Sequence, residues 1–117
     1  VYYGSEWGIS GKKEGGNDDP LRPCLNLLEM EAQPPHPELK ELLQKLSEVH
    51  REEPALVDGV YRELVLTNRQ YAFARILGER AVVVAVNNDE SPARMEIGCP
   101  VQGAEAFEVL SGRKTED

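Results

Sequence analysis

The 117-residue chain carries 21 acidic and 13 basic residues, a formal net charge of −8, and 40% of its residues are hydrophobic. That length holds at most one ordinary domain, and the negative charge argues against a nucleic-acid or anionic-membrane partner, because phosphates are repelled. No run approaches the roughly 20 apolar residues of a membrane-spanning helix, and no charged-then-apolar signal segment opens the chain.

The first residues, Val1-Tyr2-Tyr3-Gly4-Ser5-Glu6-Trp7-Gly8, form an apolar, strand-like run without a methionine that breaks at Gly4. Such an opening reads as a piece cut from inside a larger protein. Residues 9–23 place Gly11, Gly15, Gly16, Pro20 and Pro23 among Lys12, Lys13 and Glu14. This stretch is too polar and too rich in breakers to bury itself, so a mobile loop is expected. Residues 24–31, with Leu25, Leu27, Leu28 and Met30, fit either a short helical turn or an extended contact, cut off by Pro34, Pro35 and Pro37.

A helix is expected from about His36, with Pro37 as its first helical residue, where the missing N–H has no cost and φ is already set. Leu39, Leu42, Leu43, Leu46 and Val49 recur at the spacing that makes one apolar stripe, while Glu38, Lys40, Glu41, Lys45, Glu48 and Arg51 face out. Glu53-Pro54 ends the helix, since the residue before proline is pushed out of the helical region.

After Asp58-Gly59 the period changes to two. Residues 60–67, 70–77, 81–87, 93–97 and 105–110 are short runs rich in Val, Tyr, Phe and Ile, separated by turn-forming residues, and they predict an antiparallel sheet. Ala81-Val82-Val83-Val84-Ala85-Val86 has no polar alternation, so both of its faces should be covered and it is the expected central strand. The two later runs alternate with Arg94, Glu96 and Glu108 and should each keep a wet face. Ser111-Gly112 reads as a turn.

Among chemically capable residues, Asp18 and Arg22 stand out: a carboxylate accepts from sugar hydroxyls and a guanidinium donates in a fixed fork. An ordinary Asp-Pro turn beside a surface arginine is the plainer alternative. Trp7 offers a ring that could stack on a sugar, although packing under the loop is favoured. Tyr61, Tyr71 and Phe73 could form a second aromatic platform, with core packing the favoured alternative. Cys24 and Cys99 lack any Cys-x-x-Cys spacing and read as two free, buried thiols. His36 and His50 are too far apart for a helical ligand pair, and neither Asn17-Asp18-Asp19 nor Asp89-Glu90 has calcium-loop spacing, so no metal and no cofactor is expected.

The run Tyr2-Tyr3-Gly4-Ser5-Glu6-Trp7-Gly8, the Gly15-Gly16-Asn17-Asp18 loop and Arg22-Pro23 resemble the end of the catalytic barrel in α-amylase-family enzymes, the family 13 glycoside hydrolases. The phrase Leu46, His50, Arg51, Pro54, Ala55, Leu56 and the runs Tyr71-Ala72-Phe73-Ala74-Arg75 and Val82-Val83-Val84-Ala85-Val86-Asn87 extend the resemblance over nearly the whole chain. The sequence departs from the usual pattern at Ser5, where an Asp is common, and at Cys24-Leu25-Asn26-Leu27, where a Met-Pro-Trp phrase often follows the Arg-Pro.

The resemblance implies a mostly β chain with one main helix: residues 1–53 as the end of the barrel (strand end, active-site loop, last helix) and residues 54–117 as a C-terminal antiparallel β-sandwich, short of its last strand. It implies a parent enzyme of the neopullulanase, cyclomaltodextrinase or α-glucosidase kind, a retaining hydrolase or transferase of α-glucosidic bonds with no organic cofactor. The three catalytic carboxylates of that family come from earlier barrel strands, and no segment here matches them, so no catalytic residue is assigned and the chain alone is expected to be inactive. Its partners would be the parent's own barrel and an α-glucan or maltooligosaccharide. In that family the residues matching Asp18 and Arg22 contact glucose units, with Asp19 as the matching acid if the register slips by one. A carbohydrate-binding module and a plain interaction domain, dimerising through the exposed Leu39/Leu42/Leu46 helix face, are the alternatives.

Overall fold

In the structure, a computed structural model that describes residues 1–111, the chain divides into two units, Val1–Ser47 and Glu48–Asp117. The expected turn at Ser111-Gly112 lies partly outside the described residues.

The first unit is built from short turns and helices. A 3-10 turn at Ser5–Trp7 buries Trp7, and a second at Asp19–Leu21 has a proline in its first turn. The ambiguity at residues 24–31 resolves as a helix, α1 (Leu27–Ala32). Its cap explains why: the Asn26 side chain accepts from the backbone N–H groups of Leu28 and Glu29 at 3.1 and 3.5 Å, satisfying donors that an isolated turn leaves open. The Lys40 ammonium meets the Glu31 carboxylate at 3.0 Å, and His36 N–H donates to the Trp7 carbonyl at 3.0 Å. Helix α2 (Pro37–Glu52) starts on Pro37 as expected. None of its residues is buried, and Leu42 and Leu46 of its apolar stripe are 42% and 43% exposed.

Glu53-Pro54 ends α2 and at once begins another helix, α3 (Pro54–Asp58), which the sequence reading did not foresee. The Glu53 carboxylate accepts from Ala55 N–H at 3.3 Å, so the residue that stops one helix caps the next, with Pro54 in the first turn.

The second unit holds a three-stranded antiparallel sheet in the order β1 (Val60–Leu66), β2 (Gln70–Leu77), β3 (Arg80–Asn87). The β1–β2 turn is closed by Thr67, whose hydroxyl accepts from Gln70 N–H at 2.9 Å, and the β2–β3 turn is two residues, Gly78-Glu79. Strand β2, not the apolar run of β3, is central. A continuous apolar run says nothing about neighbours in the hydrogen-bonding direction, and here β3 pairs with β2 alone among the described residues; nor are both of its faces covered as expected, since Val83 and Val86, on opposite faces, are 40% and 48% exposed. Residues 93–97 and 105–110, expected as strands, are not part of this sheet.

A bulge between Glu63 and Val65 shifts the β1 register, so the faces follow from pairing rather than simple alternation. One face carries Ala72 and Ala74 with their β3 partners Ala85 and Val83. Ala72 and Ala74 are fully buried, as is Ala55 of α3, which packs against β2 and β3. The other face carries Tyr71 and Phe73 of β2, opposite Val86 and Val84 of β3 and opposite Leu66 and Glu63 of β1. No residue of that second set is buried. The two cysteines are free as expected but exposed rather than buried, because both lie in irregular segments outside the sheet.

Candidate functional site

The loop that the sequence presents as mobile has an internal hairpin. Glu14 and Asn17 exchange both backbone hydrogen bonds, at 3.2 and 2.7 Å, around Gly15-Gly16. The two glycines have φ of +51° and +86°, the pair of positive angles that a type I′ two-residue turn requires. Lys13 and Asp18 flank this closed pair, and the Lys13 ammonium meets the Asp18 carboxylate at 3.0 Å.

Chain direction then changes through Asn17, whose side-chain oxygen accepts from Asp19 N–H at 3.0 Å, and through the 3-10 turn Asp19–Leu21. This turn brings Arg22 round, with its guanidinium 3.8 Å from the Asp19 carboxylate. Further back, the two limbs of the loop touch: a Cβ at Gly11 would collide with the Pro20 carbonyl oxygen, so only glycine permits the approach.

Asp18 and Arg22 therefore line one open depression of about 440 Å³, together with Tyr2, Lys13 and Leu21. A carboxylate that accepts, an ammonium and a guanidinium that donate, and a phenol that does either, around an apolar contact, form a donor and acceptor set suited to a neutral polyol. An adjoining depression of about 330 Å³ is lined by Tyr2, Tyr3, Ile9 and Pro20 among others, and Tyr3 donates its hydroxyl to the Pro23 carbonyl at 3.0 Å.

Trp7, the third candidate, lines neither depression. It is 6% exposed, and its indole N–H has no hydrogen-bond partner among the described residues. In this conformation it offers packing under the loop rather than an open stacking face. His36 and His50 are exposed, His36 lying 3.3 Å from the Glu38 carboxylate, and no metal-holding cluster occurs among the described residues.

The sequence reading missed Lys13 and Tyr2 as lining residues. The signal for Lys13 was present: a Gly-Gly pair between two polar flanks is a hairpin signature, and closing it on residues 14 and 17 brings residues 13 and 18 near each other.

In the second unit the aromatic candidates do come together. The Tyr61 and Tyr71 rings each lie beside Phe73, with centroids 5.5 and 5.4 Å away and planes tilted by 32° and 34°. The two phenol oxygens are 2.5 Å apart. The Tyr71 hydrogen bond, aided by desolvation and by the charges of Tyr71 and Glu63, pushes the Tyr61 pKa up to about 12. Elsewhere in this unit, Arg80 reaches Glu53 with two nitrogens, at 3.1 and 2.9 Å, and those hydrogen bonds hold the Glu53 carboxyl below its ordinary range.

Residues 61–116 match the family model of the neopullulanase-like C-terminal domain. The match supports the resemblance to the C-terminal part of an α-amylase-family enzyme. No curated protein and no solved structure matches the chain.

Proposed function

From the neopullulanase-like character of its C-terminal part, we propose that the chain is the C-terminal portion of an α-glucan-acting glycoside hydrolase of the α-amylase family. In this reading residues 54–117 are a scaffold domain of β-sandwich type, and residues 1–53 are the end of the catalytic barrel. The hairpin loop contributes substrate contacts through Asp18 and Arg22, and Trp7 holds the loop from below. The reaction belongs to the parent's other barrel strands, where retaining cleavage or transfer of α-glucosidic bonds needs two carboxylates placed across the sugar. The side of α2 that carries the half-buried Leu39 and the exposed Leu42 and Leu46 is the surface assigned to the parent barrel, and it is also the surface through which the isolated chain would dimerise.

The observation that carries this reading is the family match over residues 61–116, downstream of a loop whose Asp18 and Arg22 line one depression. Amide NMR spectra recorded during a maltotriose titration to millimolar concentration test the sugar contacts. Shifts confined to Tyr2 and residues 13–22 are expected. A folded spectrum that does not move removes the sugar contacts and leaves a scaffold role. Detectable hydrolysis of maltotriose by the chain alone overturns the proposed inactivity.

One observation favours a second reading, a carbohydrate-binding module: Tyr61 is 52% exposed on the sheet face it shares with Phe73 and Tyr71. Shifts centred on those three residues in the same titration would select it.

A further inference from the structure

The geometry points to Lys13 as a positioning residue that holds the Asp18 carboxylate toward the depression, an inference that rests on the proposed sugar-contacting role of Asp18 and Arg22. Three features carry it. Lys13 and Asp18 directly flank the hydrogen-bonded Glu14 and Asn17 pair, so the closed Gly15-Gly16 turn brings the two residues near each other and their side chains meet at 3.0 Å. The ammonium contacts one carboxylate oxygen, Oδ1, at 3.0 Å, and a carboxylate has lone pairs on both oxygens, so acceptor capacity remains on the other. Both side chains line the same depression as Arg22, with the pair half exposed, at 58% and 50%.

An exposed ion pair of this kind adds little to stability, because water screens it and two side chains must be ordered. Its effect is conformational: Asp18 is kept in one rotamer, and a neutral hydroxyl that accepts from Lys13 while donating to Asp18 can join the pair without separating it.

The test compares the full chain with Lys13→Met, which keeps length and removes charge, and Lys13→Arg, which keeps charge. The first readout needs no ligand: the Hα–Hβ couplings of Asp18 report its χ1 rotamer. A single rotamer is expected in the parent sequence, averaged couplings in Lys13→Met, and restoration in Lys13→Arg. The second readout is maltotriose titration by amide NMR, in which Lys13→Met should weaken the response of Tyr2 and Arg22 by about threefold to tenfold and Lys13→Arg should recover it. Asp18 couplings that are averaged in the parent sequence, or unchanged in Lys13→Met, overturn the positioning role. So does maltotriose binding that is equally strong in Lys13→Met. A parent loop that ignores maltotriose while its Asp18 rotamer still depends on Lys13 overturns the sugar-contact reading and leaves the positioning intact.

Discussion

Two hairpins turned on glycine occur among the described residues, and they differ in what holds them. The loop hairpin at Gly15-Gly16 closes with one backbone pair and one exposed ion pair, and its φ angles do most of the specifying. The β2–β3 hairpin at Gly78-Glu79 is paired along eight residues of each strand, has fully buried alanines on one face and is tied to the α2–α3 junction through Arg80 and Glu53. Local turn chemistry thus presents polar side chains at low stability, whereas a packed ladder provides a rigid support. Lys13 and Asp18 flank the first, and the second lies within the residues that match the family model.

The widest separation between the two should come from the buried face of the sheet. Ala74→Leu forces a larger side chain into a fully buried position and should lower the stability of the second unit by about 1–3 kcal/mol. Urea unfolding monitored by NMR should show the sheet signals moving to lower denaturant while the loop signals of residues 13–18 keep their native shifts. A loop that unfolds in step with the sheet would break the contrast.

Glu53→Ala comes next, removing the α3 cap and the acceptor of Arg80, and about 0.5–2 kcal/mol is expected from the cap alone. Its acid dependence has a definite sign. The folded state holds the Glu53 carboxyl below its ordinary value of about 4.3, so the contribution is full above that value and is lost as pH falls through the lower, folded one. Urea midpoints of the parent sequence and Glu53→Gln should therefore differ at pH 7, and the gap should shrink as pH falls below the ordinary carboxylate range. A gap that stays constant would mean the ionised carboxylate contributes nothing.

Gly16→Val tests the loop hairpin alone. Its φ of +86° is strained for a β-branched residue although no atom lies within 4 Å of a Cβ built there, so the expected cost is about 1–2 kcal/mol. Loss of the Glu14 and Asn17 cross-strand contacts, with an unchanged sheet spectrum, is the expected result. The smallest effect is spectroscopic: ultraviolet titration should find Tyr61 ionising near pH 12, and Tyr71→Phe should return it toward its ordinary value of about 10. Because the folded state holds that proton more tightly, the associated stability is present below pH 10 and is lost as pH rises toward 12.

Much of the scaffold was legible in the sequence. Pro37 announced the start of α2, and the strand limits at Leu77, Asn87 and Gln70 follow from the turn residues beside them. What was not legible depends on pairing. The bulge at Glu63–Val65 leaves no mark in an alternation that also holds Leu64, Val65 and Leu66 in a row, and the edge position of β3 is invisible in its own apolar run. The α3 helix was hidden because Glu53-Pro54 is a stop signal read forward and a cap read backward. At the candidate site, Asp18 and Arg22 were picked for their chemistry, while Lys13 is found only by taking the Gly-Gly pair as a turn, which brings residues 13 and 18 together.

The meeting of Gly11 with the Pro20 carbonyl has a consequence for how this loop can vary. Because the limbs are already in contact there, residues 12–19 enter and leave the fold at nearly the same point. Lengthening or shortening that segment changes the closure entropy only slowly, by about 0.6 kcal/mol for each doubling of length. The segment is therefore an interchangeable cassette: its polar groups can be exchanged for another set while Arg22 and the helices after it keep their places.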